Sequence, residues 1–227
     1  VISSIEAAKA SVGVGSLSPT GTLRIAAPAS FGRMHLIPAI SKFMHEYPDL
    51  QVDLKLSDTI VDLVEAGFDV AIRNSALKDS TLVAKKLVND KRIVCASPTY
   101  IKKHGTPSKP EDLRKHNCIT LLNLDSWSFK VGNNISNIKV SGNFRTDNGE
   151  AIRDACSYGL GITINSTWSA YQQLINGELI ELLPDYPLAT DAAIWAIYPS
   201  SKQLAPKVRA FIDFFSTYFG ETPYWEQ

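Results

Sequence analysis

The chain has 227 residues, 44% of them hydrophobic, and its 23 basic and 23 acidic side chains cancel to a net charge of zero. That length holds one large domain or two lobes of roughly 100 residues each, and the neutral balance argues against a surface built to sit on a phosphate backbone. No apolar run approaches the roughly 18 residues that a membrane helix needs, and the first residues lack the basic-then-apolar order of an export signal.

Three cysteines, Cys95, Cys118 and Cys156, are widely spaced and odd in number. Such usage fits a reducing compartment better than a disulfide scaffold, so a cytoplasmic protein with no membrane partner is expected.

Val1 to Ala10 reads as the last turns of a longer helix, which dissolves into a linker rich in glycine and serine up to residue 20. The chain is therefore expected to be a fragment, although processing or an engineered start gives the same pattern. From Leu23 the order is strand, helix, strand: Leu23 to Ala27, Phe31 to Tyr47, and Val52 to Ser57. In the helix Met34, Ile37, Ile40, Met44 and Tyr47 recur at helical period, and in the second strand Val52, Leu54 and Leu56 alternate with Asp53 and Lys55. Pro38 interrupts the helix ladder and predicts a kink or a distinct first turn. A short helix from Thr59 to Gly67 and a strand from Phe68 to Arg73 follow.

Strands are predicted over Leu82 to Val88 and Lys91 to Ala96. A helix capped at Ser97 and closed by Gly105 comes next, then a short helix over Glu111 to His116. Further strands are expected at Cys118 to Leu122, Trp127 to Val131 and Ile138 to Arg145. The stretch Thr146-Asp-Asn-Gly-Glu-Ala-Ile-Arg-Asp-Ala-Cys opens with turn residues and continues at helical period, so the polar trio caps a helix rather than making a hairpin. Gly159-Leu-Gly161 ends that helix and leads into an Ile162 strand. A phosphate-cradling glycine run would precede a helix, so this is not a dinucleotide loop. A helix over Trp168 to Asn176, a strand over Ala192 to Tyr198 and an amphipathic helix over Ala205 to Phe219 complete an α/β pattern, in which ligands lie outside the carboxyl ends of strands.

The polar candidates each have a plain structural reading beside the functional one. Ser30 is an N-cap by its position. Arg73 stands at the carboxyl end of an apolar strand, as a surface charge or as a cleft cation. Arg33 and Arg145 either pair with carboxylates on a solvated face or reach a ligand. Trp127 sits in an alternating strand, as a core aromatic or a cleft wall. Catalysis has little support: the four histidines show no metal-ligand spacing, and neither a Gly-x-Ser-x-Gly elbow nor a Cys-x-x-Cys pair occurs. No catalytic residue, metal or cofactor is expected. Arg153, three residues before Cys156, would lower that thiol's pKa if both faced water; a buried inert cysteine is the competing reading.

Gly21-Thr-Leu-Arg-Ile-Ala-Ala-Pro-Ala-Ser-Phe-Gly-Arg-Met-His-Leu-Ile-Pro-Ala-Ile and the later Tyr47-Pro-Asp-Leu resemble the start of the effector-binding domain of LysR-type transcriptional regulators. Phe68-Asp-Val-Ala-Ile-Arg, Pro110-Glu-Asp-Leu, Cys156-Ser-Tyr-Gly-Leu-Gly-Ile and Gly177-Glu-Leu-Ile-Glu-Leu-Leu-Pro follow in the family's order. The resemblance covers about residues 21 to 217.

It implies two Rossmann-like lobes joined by two crossover strands, a periplasmic-binding-protein-like fold with a small effector between the lobes. Residues 21–94 and 198–227 would form one lobe and 95–197 the other, with crossings near Val94 to Pro98 and Ala196 to Ser200. The winged helix-turn-helix that contacts operator DNA would precede Val1, and the intact regulator would be a homo-dimer or tetramer. The resemblance also places the mouth of the first helix, Ala29, Ser30 and Phe31, opposite that of the helix begun by Asp147 and Asn148. Two such mouths suit a carboxylate-bearing ligand. Ser57, Asp58, Ser97 and Thr163 enter the site only through the resemblance. Two rival readings share these residues: a solute-binding protein of a transport system, and a thiol-based redox-sensing regulator domain.

Overall fold

The computed structural model describes residues 18–59, 63, 65–74, 82–122, 124–202 and 205–227. The expected helix at residues 1 to 10 lies outside them, as do residues 60–62 and 64 of the one expected at 59–67, of which residues 65–67 form a turn. The chain divides into two compact units. The first holds residues up to 89 and 193–223, and the second holds residues 90–192 and 224–227.

The first unit is built on a five-stranded sheet in the order β2-β1-β3-β12-β4. Its strands are β1 (Gly21–Ala27), β2 (Leu50–Leu56), β3 (Val70–Asn74), β4 (Leu82–Asn89) and, from far along the chain, β12 (Ala193–Pro199). β1 runs parallel to β2 and β3, whereas β12 lies antiparallel between β3 and β4. Helix α1 connects β1 to β2 as an α-helical turn (Ala29–Phe31), a π-helical turn (Gly32–Leu36) and a regular stretch (Ile37–Glu46). The irregularity expected at Pro38 falls in the turn just before it. Proline supplies no N–H and crowds the preceding carbonyls, and a π turn absorbs the mismatch.

Across the sheet's buried face, Phe43 of α1 meets Phe211 and Phe215 of the last helix, Pro206–Phe219, at ring-centroid distances of 6.0 and 6.1 Å. That helix buries Val208, Phe211, Ile212, Phe215 and Phe219, a spacing that puts all five on one face. Its first turn is pinned to the sheet, because Lys207 Nζ donates to Thr22 O at 2.6 Å and to the buried Asp69 carboxylate at 2.7 Å.

The second unit centres on β5 (Arg92–Ala96), paired antiparallel with β10 (Thr163–Ser166) on one side and β11 (Ile180–Leu182) on the other. Helix α2 (Pro98–His104) follows β5 and a 3-10 turn (Pro110–Lys115) replaces the short helix expected at 111–116. β6 (Thr120–Leu121) pairs parallel with β9 (Arg145–Thr146), and β7 (Ser126–Val131) and β8 (Asn134–Lys139) form a hairpin. The single strand expected over Ile138 to Arg145 is thus two strands, broken where Asn117 Oδ1 accepts the Asn143 N–H at 3.0 Å. Helices α3 (Gly149–Ser157) and α4 (Thr167–Ile175) cover the core around Cys95, Ile119 and Ile152.

The chain passes between units at 89/90 and 192/193, several residues before the expected crossings. β5 bonds along its length to strands of the second unit and β12 to strands of the first, so each strand belongs wholly to one sheet. A third passage, at 223/224, was not expected: the tail returns to the second unit, burying Trp225, setting Tyr224 against Tyr171 and bonding Glu226 to Thr167.

Candidate functional site

In the first unit the carboxyl ends of β1, β2 and β3 converge on an open depression lined by Ala27, Pro28, Lys55, Ser57, Asp58 and Arg73 among others. Parallel strands end here with their loops diverging, which is what opens a crevice in an α/β sheet. Arg73 lies near the carboxyl end of β3 and is half-buried, and loss of water around the guanidinium lowers its pKa from the ordinary value. An arginine that starts this high stays charged at neutral pH. Burial therefore delivers a poorly hydrated cation to the rim, and Lys55 places a second on the same wall.

The helix mouth beside it is not vacant. The N-cap position of α1 is Pro28, which has no side-chain donor or acceptor, and Asp58 supplies the cap from the β2 side by accepting the Ala29 N–H at 3.0 Å. Ser30 is therefore not the N-cap but a buried residue inside the first turn. Phe31 is fully buried, its ring 5.0 Å from His35 and 5.8 Å from Phe219, and serves the core. Arg33 points from the helix as an exposed charge. Ser57 lies in the depression, its N–H bonded to Ala27 O at 3.0 Å and its hydroxyl accepting the Thr59 N–H at 3.2 Å.

In the second unit the cap of α3 is Asn148, whose side chain accepts the Ala151 N–H at 2.9 Å. The Asn148 N–H in turn goes to Thr146 Oγ1 at 3.2 Å. Asp147 and Arg145 are exposed beside this turn, so three predicted residues do gather at one helix start. The other three are occupied in the interior. Ser97 caps α2 through the Tyr100 N–H, Thr163 Oγ1 donates to Ile119 O at 2.9 Å, and Trp127 is buried in the core with Phe129 and Ile138. Their burial leaves no surface for a ligand.

The thiols are likewise structural. Cys156 Sγ donates to Cys95 O and to Gly161 O, each at 3.4 Å, and Arg153 instead bonds Ser169 O and pairs with Asp154 and Glu150. The Cys95 side chain, together with burial, pushes the Cys156 pKa upward, and burial pushes that of Cys118 up to about 12. No group of three metal-ligating side chains occurs among the described residues, and no helix there is long and apolar enough to cross a membrane.

Sequence reasoning overlooked Lys55 and Thr59 as lining residues. Lys55 faces the depression because it sits opposite Ala26 in the parallel register, and register is the one thing alternation in a single strand does not display.

Residues 16–220 match the family model described as the LysR substrate binding domain. The chain belongs to this family. Its LysR-type relatives include the transcriptional activator TtdR of Escherichia coli strain UTI89, 35% identical over 205 residues, which are 88% of this chain and 65% of that protein. The regulator DmlR of Escherichia coli K12 is 34% identical over 207 residues, 89% of this chain and 67% of its own. The chain thus spans about two thirds of the length of these curated relatives, which are transcription regulators rather than enzymes.

Among solved structures, the CrgA regulatory domain of Neisseria meningitidis superposes with a TM-score of 0.80 at 31% identity, covering 89% of this chain and all of that one. The full-length AphB virulence activator of Vibrio cholerae gives a TM-score of 0.76 at 29% identity, covering 96% and 74%. The LysR-type regulatory domain, with its periplasmic-binding-protein-like α/β architecture, is therefore the fold of this chain.

Proposed function

We propose that this LysR-type domain senses a small organic anion, held in the first unit at the carboxyl ends of β1 to β3, and through it controls DNA binding by the intact regulator. The observation that carries the reading is Arg73, a half-buried guanidinium at the rim of a depression shared with Ser57 and Lys55. A charge-assisted contact there contributes about 1.5–3 kcal/mol, against about 1 kcal/mol for a neutral hydrogen bond to Ser57. Bound ligand regulates only by favouring one conformation over another, since equal affinity for both shifts nothing.

Operator DNA would be contacted through a winged helix-turn-helix preceding Val1, in a cytoplasmic dimer or tetramer. Calorimetric titration of organic acids, sugars and neutral aromatics into the wild-type chain and Arg73→Ala tests the site. Binding of an acid that falls at least ten-fold in Arg73→Ala supports it, and a neutral ligand bound equally by both proteins overturns it. Sedimentation at high concentration tests self-association, which a monomer throughout would contradict.

A further inference from the structure

β12 brings one more side chain to the face that carries Arg73. In the antiparallel register Trp195 stands directly opposite Arg73 of β3 on one side and Lys86 of β4 on the other. Directly opposed residues project to the same face, with Cβ atoms roughly 4.5–5.5 Å apart. Packing identifies that face, because Trp195 lies against the cluster of Ala26, Ala71, Ile197 and Leu63. Ala26, Ala71 and Arg73 also line the depression. Across the sheet the row Lys55, Ala26, Ala71, Ile197 and Ala84 therefore forms a mostly small-residue floor. The row Arg73, Trp195 and Lys86 stands one step further toward the carboxyl end of β3.

The indole has a second property. Its Nε1 is buried and has no hydrogen-bond partner among the described residues. An indole N–H is a donor only, and buried donors in native proteins are nearly always paired. Trp195 is not among the residues that line the depression, so the indole must turn toward it for a ligand oxygen beside Arg73 to supply the missing acceptor.

We infer that Trp195 is a specificity-determining residue of the effector site: its indole N–H donates to an oxygen on the ligand while Arg73 holds the carboxylate. The inference rests on the proposed anion site and goes beyond it in naming the ligand class, carboxylic acids that carry a second oxygen acceptor, in preference to plain alkanoic acids. The β-bulge between Ile194 and Trp195 sets the indole's position, since it shifts the register of β12 against β4 at that residue.

Pentanoate, 2-oxopentanoate and 4-oxopentanoate carry the same charge and differ in one ketone oxygen, so they serve as probes in calorimetric titrations of wild type, Trp195→Phe and Arg73→Ala. One neutral hydrogen bond corresponds to about a five-fold difference in affinity. At least one oxo acid is expected to bind the wild-type chain about five-fold tighter than pentanoate, and to lose that advantage in Trp195→Phe. In chain labelled with 5-fluorotryptophan, the Trp195 fluorine resonance is expected to move with the oxo acid and not with pentanoate. Assigning that resonance by elimination, with Trp127→Phe, Trp168→Phe and Trp225→Phe, keeps this readout independent of how Trp195→Phe folds. Equal affinities for the three acids, an oxo preference that survives in Trp195→Phe, or an unmoved Trp195 resonance overturns the inference while Arg73-dependent binding stands. Failure of all three acids to bind the wild-type chain overturns the anion site and the inference together.

Discussion

Asp58 accepts the Ala29 N–H at 3.0 Å, so a carboxylate from the loop after β2 already occupies the amino terminus of α1. An anionic ligand in the same depression meets that charge as well as Arg73. Asp58→Asn keeps an acceptor for the cap and removes the charge, so it should leave thermal stability near wild type and tighten anion binding. Asp58→Ala should cost about 1 kcal/mol of stability through the lost cap. Paired thermal melts and titrations check both; weaker anion binding by Asp58→Asn would mean that the carboxylate orients the ligand rather than repelling it.

Stability should fall as pH drops through the range of an ordinary histidine. Tyr100 Oη accepts the Asn117 N–H at 2.9 Å and lies within hydrogen-bond distance of His116 Nδ1, at 3.3 Å. Burial first, and then the His104 charge, lower the His116 pKa, with Asp112 opposing. The folded state therefore favours neutral His116 and binds fewer protons than the unfolded chain just below pH 6.5. This stabilising contribution is complete above about pH 6.5 and is lost as pH falls further. Urea denaturation of wild type and His116→Gln between pH 8 and pH 5 should show a shallower acid slope in the variant.

The three thiols should stay silent in the native state. All are buried, and the raised pKa values of Cys118 and Cys156 keep them as thiols, while the thiolate is the reactive form. A chromogenic disulfide reagent should react with fewer than one thiol per chain in buffer and with three after denaturation. Rapid native reaction at Cys156, with a change in binding, would support the redox-sensing reading instead.

The order of elements was legible because periodicity marks them: the alternation of β2 and the five buried positions of the last helix follow from spacing, whereas α1 buries Leu36, Ala39 and Phe43 and leaves Ile37 and Met44, two residues expected on its apolar face, exposed. What spacing does not carry is which distant segment satisfies a local need. Ser30 looked like a cap because caps are commonly local, but the helix begins one residue earlier and Asp58 takes the Ala29 N–H from 29 residues away. Trp127 and Thr163 had the right residue types for a site and were placed in the interior by tertiary packing. Trp195 was invisible for the converse reason: only the register of β12 against β3 reveals that it neighbours Arg73.

Gly161 and Gly149 should respond in opposite ways to the same substitution. A Cβ on Gly161 would lie 2.2 Å from Asn117 O, a backbone atom held in place by the Ile162 N–H at 2.9 Å. Neither partner yields easily, because Gly161 O also receives the Cys156 thiol and the Asn117 side chain bonds Leu160 O and Asn143. Gly161→Ala should therefore cost about 3 kcal/mol, the upper end of small-to-large changes. Gly149, at the first position of α3, has nothing within 4 Å of an added Cβ. There alanine mainly reduces the freedom of the unfolded chain and should stabilise by about 0.4–1 kcal/mol. Denaturant midpoints for the two variants, at unchanged slope, decide it: a Gly161→Ala chain as stable as wild type would show that the two backbones separate at little cost.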